Sequence, residues 1–288
     1  SRSKKKLLVI FTAISVVFTA LLFFVQEGDV FTGILFFVLA EIGYRAAQVF
    51  YDALLVDVST PETIGNVSGK GWALGMLGGI VCLILVLIPI QLIGGNLMVR
   101  IAFVITALFY ALSSIPLLLH VRQINEPETL PAGESTFSHA FKKLGGTFRD
   151  IKRYREFVKY TISFLIYNDG IMMLLDNAAI IAGILYGFKT SELIILIIIL
   201  QVSGAAGAYL FGRVSNKRSS KQAILYALSL LLLVIALLFF VKSKGVFYII
   251  AALAGFFLSG VQAVSRTMVS QLSPASKTAE FYGFLSVA

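Results

Sequence analysis

Eight stretches of this chain are apolar over about 20 residues each, at roughly 7–25, 31–56, 71–93, 97–119, 157–187, 190–212, 222–241 and 246–268. A helix of about 20 residues is what the ~30 Å hydrocarbon core of a bilayer requires, and only a helix satisfies its own backbone there within one segment. The pattern predicts an all-α membrane protein, a helical bundle. With 58% hydrophobic and 14% charged residues, the chain carries more apolar surface than a soluble core of this size can hide. A ninth run opens near Glu280 and the sequence stops at Ala288, while Ser1 opens a basic segment without Met. That reads as a fragment lacking helices at both ends.

The net charge of +9 reports topology. Every Lys and Arg except Arg45, Arg100, Lys189, Lys242 and Lys244 falls in the alternate loops 1–6, 57–70, 120–159, 213–221 and 266–278, and positively charged loops stay cytoplasmic. Charges dispersed over short loops argue against a nucleic-acid partner, which would need a concentrated basic surface. The longest loop, 120–156, is expected to link an N-terminal half bundle, 1–119, to a C-terminal half bundle, 157–288. Within it, Phe137, Phe141, Leu144, Phe148, Ile151 and Tyr154 recur every three or four residues with basic residues between them. This is the pattern of an amphipathic helix on the membrane surface. Laying Gln48 on Gln262 also lays Ser59 on Ser273 and Gly69 on Gly283, as in transporters built from two pseudo-symmetric halves that hold substrate near the midplane.

Glu41, Arg45 and Gln48 interrupt the second apolar run. A charge at the bilayer centre costs ~2.5–3.5 kcal/mol on insertion scales, so such residues normally face water or a partner. Glu41 and Arg45 are four apart and share a helical face. Arg45 is a candidate anion clamp and Glu41 a candidate proton carrier; the alternative is that they only neutralise each other. In the fifth run, Tyr167, Asn168, Asp169 and Gly170, followed by Asp176 and Asn177, predict a broken helix beside a buried acid, because Asn, Asp and Gly weaken helices. The alternative is a pair of caps on two stacked segments. Asp52, Asp57, Arg266 and Glu280 lie at the basic-loop ends of their runs and are candidate cytoplasmic gate residues, with Asp52 expected to approach Arg266. Gln262 joins the candidate substrate and ion pathway. Gly71, Gly75 and Gly79 share a face, and Gly204, Ala205 and Gly207 crowd another, both suited to close helix contacts. Pro89 is expected to kink its helix, and Trp72 to anchor at the membrane interface.

The sequence has no phosphate-cradling loop, no nucleophile beside a base and no clustered metal ligands. His120 and His139 are far apart and Cys82 is the sole cysteine. No enzyme, cofactor or metal is expected.

Particular residues carry a family resemblance. Gly212 to Lys221 is similar to the loop signature of the major facilitator superfamily, with Asn216 where an acid is usual, Ser219 where Gly is usual, and Lys217, Arg218 and Lys221 as its bases. Phe50–Leu55, Val67–Gly79 with its Ser-Gly-x-Gly-Trp-Ala block, Tyr167–Gly170, Gly260–Arg266 and Ala279–Phe284 resemble the vacuole-effluxer-like branch, which includes fungal autophagy-related amino-acid effluxers. Arg45 with Gln48 is similar to an Arg-x-x-Gln pattern of proton-linked members, though Val49 replaces the usual Gly.

The resemblance implies that these helices are the third to the tenth of twelve. It also implies alternating-access transport of a small solute, amino acids, coupled to an ion gradient, with protons first. The expected setting is a multi-pass monomer in the lipid bilayer of a bacterial inner membrane rather than a vacuole. A non-transporting receptor or scaffold, or a channel or lipid-moving protein, are the alternatives.

Overall fold

The structure, a computed structural model, describes residues 4–121, 154–274 and 277–287. It is helical throughout the described residues: α1 (Lys4–Leu21), α2 (Val30–Ala53), α3 (Ile64–Ile93), α4 (Gly95–His120), α5 (Arg155–Tyr186), α6 (Thr190–Lys217), α7 (Ser220–Leu238), α8 (Lys244–Leu272) and α9 (Thr278–Val287). Among the described residues, α1–α4 and α6–α8 are each long and apolar enough to cross a membrane. The bent α5 makes an eighth span. The expected surface helix before Tyr154 lies outside the described residues.

Local chemistry sets the boundaries. Ser219 and Ser243 accept hydrogen bonds from the backbone N–H groups of Gln222 (3.2 Å) and Val246 (3.4 Å), capping α7 and α8. Gly94 alone separates α3 from α4, with φ of 69°. Gly187 closes α5 at φ 62°, its N–H reaching Gly183 O at 3.1 Å while Phe188 N–H reaches Ala182 O at 3.3 Å.

The expected break at Tyr167–Gly170 is corrected: α5 runs through those residues, and its 46° bend falls between Leu175 and Asn177. Asn177 Nδ2 donates to Met173 O at 2.8 Å, so a side chain competes for a helical carbonyl there. Asn168, by contrast, uses its amide on another helix, as described below.

The described residues cluster into two compact units. Of the described residues, the first takes 4–58, 81–121 and 277–287, and so α1, α2, the end of α3, α4 and α9. Phe11 stacks on Phe50 with ring centroids 5.9 Å apart, beside a core of Leu8, Ala47 and Leu54. The first turn of α1 ties off two helix ends: Lys4 Nζ donates to Asp57 Oδ2 at 2.9 Å and Ala53 O at 3.0 Å, and Lys5 Nζ to Val121 O at 2.9 Å. Cations suit these ends because the last carbonyls of a helix carry partial negative charge.

The second unit takes 59–80 and 154–274, and so the start of α3 with α5–α8. Its most extensive pairing is α6 on α8. The expected small-residue crowding around Gly204–Gly207 is present: a Cβ on Gly207 would strike the Phe256 backbone. In α3 the close contact lies earlier than the face predicted at Gly71, Gly75 and Gly79. On the predicted face Gly75 has nothing within 4 Å and a Cβ on Gly79 would sit 2.7 Å from the Gln201 side-chain amide, whereas the backbone contacts are earlier: a Cβ on Gly69 would sit 2.5 Å from Ala208 O, and one on Gly212 2.6 Å from Gly65 O. Gly212, read from sequence as a loop residue, is thus a packing residue inside α6.

Candidate functional site

In the first unit, helical spacing brings Glu41 and Arg45 together on α2, with Arg45 Nε 2.6 Å from Glu41 Oε1. Both stay accessible, their side chains 42% and 66% exposed. A buried neutralising pair would have neither side chain open, so this geometry favours a pair available to a third group. Glu41 lines a cavity of about 400 Å³ among α1, α2 and α4, with Ser15, Thr19, Tyr44, Thr106 and Tyr110 as its polar walls. Phe37, Phe103 and Leu22 supply apolar walls. The Tyr44 and Tyr110 rings meet edge to face at 6.2 Å, and the Arg45 guanidinium lies 6.0 Å from the Tyr44 ring centre. Gln48, one turn on, is half-buried. Chemically, such a pocket offers a carboxylate for an ammonium group, a guanidinium paired to that carboxylate for an anion, and aromatic faces for an apolar or cationic body.

In the second unit, α5 faces α8 through a ladder of neutral polar groups. Gln262 Nε2 donates to Asn168 Oδ1 at 3.0 Å. Tyr167 Oη and Ser265 Oγ are 2.7 Å apart, and Tyr160 Oη donates to Ser265 O at 3.0 Å. The buried acid expected here is corrected: Asp169 is exposed, because the 100° step of a helix that turns Asn168 toward α8 turns its neighbour away. The side chain of Asp176 lies outside the described residues. Also on α8, Ala263 O accepts from Ser68 Oγ at 2.7 Å, and the Arg266 guanidinium lies 5.5 Å from the Trp72 ring centre. The Trp72 ring therefore packs beneath a cation.

Residues 56–288 match the family described as "Vacuole effluxer Atg22 like". The chain belongs to the vacuole effluxer Atg22-like family. It is 28% identical to the uncharacterized MFS-type transporter YxiO of Bacillus subtilis, over 99% of this chain and 67% of that protein. It is 25% identical to autophagy-related protein 22 of Yarrowia lipolytica over 77% of this chain and 42% of that protein, and 22% identical to autophagy-related protein 22-1 of Penicillium rubens over 77% and 41%. The chain thus spans about two thirds of the bacterial relative and about two fifths of the fungal ones.

For this Atg22-like chain, the remaining predicted residues divide by unit. Asp57 is buried against Lys4, with side-chain exposures of 0% and 11%, which makes it a fastener within the first unit. Asp52 and Glu280 are half-buried in that unit, whereas Arg266 is buried in the second. Of the loop signature, Asn216 does the most: its Nδ2 donates to Glu62 O and its Oδ1 accepts from Asn66 N–H at 3.2 Å, so it caps the start of α3 from the end of α6. An Asp there could accept but not donate. Asn216→Ala is expected to lower stability by about 1–2 kcal/mol, read as a lower unfolding temperature in detergent, with Asn216→Asp losing roughly half as much.

Sequence reasoning missed Ser15, Thr19, Thr106 and Tyr110, as well as Tyr160 and Ser265. A signal existed: Ser15 with Thr19 and Thr106 with Tyr110 are polar pairs at helical i, i+4 spacing inside apolar runs, a pattern that marks one wetted face.

Proposed function

We propose that this chain is the core of a secondary transporter that moves a small zwitterionic solute, of the amino-acid class, across the membrane by alternating access. One observation carries the proposal: the accessible Glu41–Arg45 pair, whose Glu41 lines the α1–α2–α4 cavity. Amino acids bear one group for each partner, an ammonium for Glu41 and a carboxylate for Arg45. Substrate binding exchanges one ion pair for two, so little charge is left uncompensated in a low-dielectric setting. The relatives named as transporters and effluxer-like proteins support the same class of activity.

Coupling to protons follows from the same pair. Protonating Glu41 releases Arg45. Asp52, Arg266 and Glu280, at the basic-loop ends of their helices, are the proposed gate residues. In proteoliposomes containing the full-length protein, Arg45→Gln is expected to reduce amino-acid accumulation at least about tenfold, the factor that accompanies ~1.4 kcal/mol of lost binding. Glu41→Gln is expected to abolish its dependence on a pH gradient. Accumulation and pH dependence equal to the unsubstituted protein would remove the assignment.

A further inference from the structure

We propose that the cleft where the end of α6 meets the start of α3 binds a phosphate group, that of an anionic phospholipid headgroup, with Arg213 and Lys217 as its ligands. The cleft has a volume of about 390 Å³ and is lined by Asn66, Arg213, Asn216 and Lys217. Arg213 and Lys217 stand one helical turn apart, so their like charges repel on the same face of α6. Among the described residues neither cation has a carboxylate partner. A bound anion is what relieves that repulsion.

The cleft is also built rather than incidental. The Arg213 guanidinium lies 4.3 Å from the centre of the Tyr209 ring, which restricts its orientation as stacking on an aromatic face does. Asn216 is held by Glu62 O and Asn66 N–H, so one wall of the cleft is fixed before any ligand arrives. A guanidinium fork beside an ammonium suits a phosphate, which accepts two parallel N–H bonds and a point charge together. Both cations occupy the last turns of a membrane-spanning helix on its basic-loop side. That is headgroup depth, where basic pockets between helices meet lipid phosphates. Because α3 and α6 both contribute to the cleft, an occupied site braces the contact made by Gly65, Gly69 and Gly212.

The test titrates the purified full-length protein in detergent with phosphatidylglycerol, phosphatidylcholine and inorganic phosphate, counting bound adducts by native mass spectrometry. Phosphatidylglycerol is expected to bind in preference to phosphatidylcholine, and about tenfold more weakly to the R213Q/K217Q variant. Arg213→Lys, which keeps the charge but loses the fork, is expected to fall between, and Lys242→Gln to bind as the unsubstituted protein does. Should the double variant misfold, Lys217→Gln alone serves, its unfolding temperature without lipid being matched to the parent. Equal phosphatidylglycerol binding with and without these cations overturns the site. Inorganic phosphate at millimolar concentration displacing all bound phosphatidylglycerol overturns the lipid assignment in favour of free phosphate.

Discussion

Asp57→Ala is expected to destabilise the protein by about 3–5 kcal/mol, the cost of stranding one partner of a buried ion pair. The Asp57 carboxylate is wholly buried and the Lys4 side chain only 11% exposed. Without Asp57, the Lys4 ammonium keeps the Ala53 carbonyl at 3.0 Å and loses its counter-charge. The unfolding temperature in detergent reads the loss. The Glu156–Lys159 pair provides the comparison, since its side chains are 70% and 57% exposed. Exposed pairs contribute 0–1 kcal/mol, so Glu156→Ala is expected to shift the unfolding temperature little. Equal shifts for Asp57→Ala and Glu156→Ala would show that the Lys4–Asp57 contact carries no special weight. Replacing both partners, as Lys4→Met with Asp57→Leu, is expected to recover most of the stability, because no unpaired charge remains.

The second large effect is steric. Gly212→Ala would place a methyl group 2.6 Å from the Gly65 carbonyl oxygen and 2.9 Å from the Gly69 Cα. Both are backbone atoms and cannot rotate away, so α3 and α6 must separate. Overpacking of this kind costs ~1–3 kcal/mol and occasionally more, and Gly207→Ala, which meets the Phe256 backbone, belongs at the upper end. Folded yield from membranes and unfolding temperature measure it. Gly75→Ala, with nothing within 4 Å of the added carbon, is expected to be neutral. A Gly75 variant as damaged as the Gly212 variant would mean that helix flexibility, and not close approach, is what these glycines supply.

The contrast between these glycines shows what a sequence leaves open. Gly65, Gly69, Gly75 and Gly79 all lie in the same apolar helix, and spacing alone makes any of them a candidate for close packing. Which ones are used depends on where a neighbour crosses: α6 brings its backbone against Gly65 and Gly69 and the Gln201 side chain against Gly79, and leaves Gly75 open. Trp72 is a similar case: nothing in its neighbourhood in the chain points to Arg266, nearly two hundred residues later, which lies over its ring. The Glu41–Arg45 pairing was legible because both ends belong to one helix, and a four-residue separation on a helix sets the distance. The Asn168–Gln262 bond was not, because its partners come from different helices whose rotation about their axes no local pattern fixes.

The long apolar runs, their basic loops and the i, i+4 charged pair were determined by the sequence itself, since bilayer thickness and helical periodicity act on neighbouring residues. The tertiary structure decided which faces meet. It gave Asp57 to Lys4, turned Asp169 outward while Asn168 turned inward, and moved the bend of α5 from Gly170 to Asn177. The physical reason is that burial and hydrogen-bond partners are properties of crossings between distant helices. A one-residue step rotates a side chain by about 100°, enough to exchange a partner on a neighbouring helix for exposure.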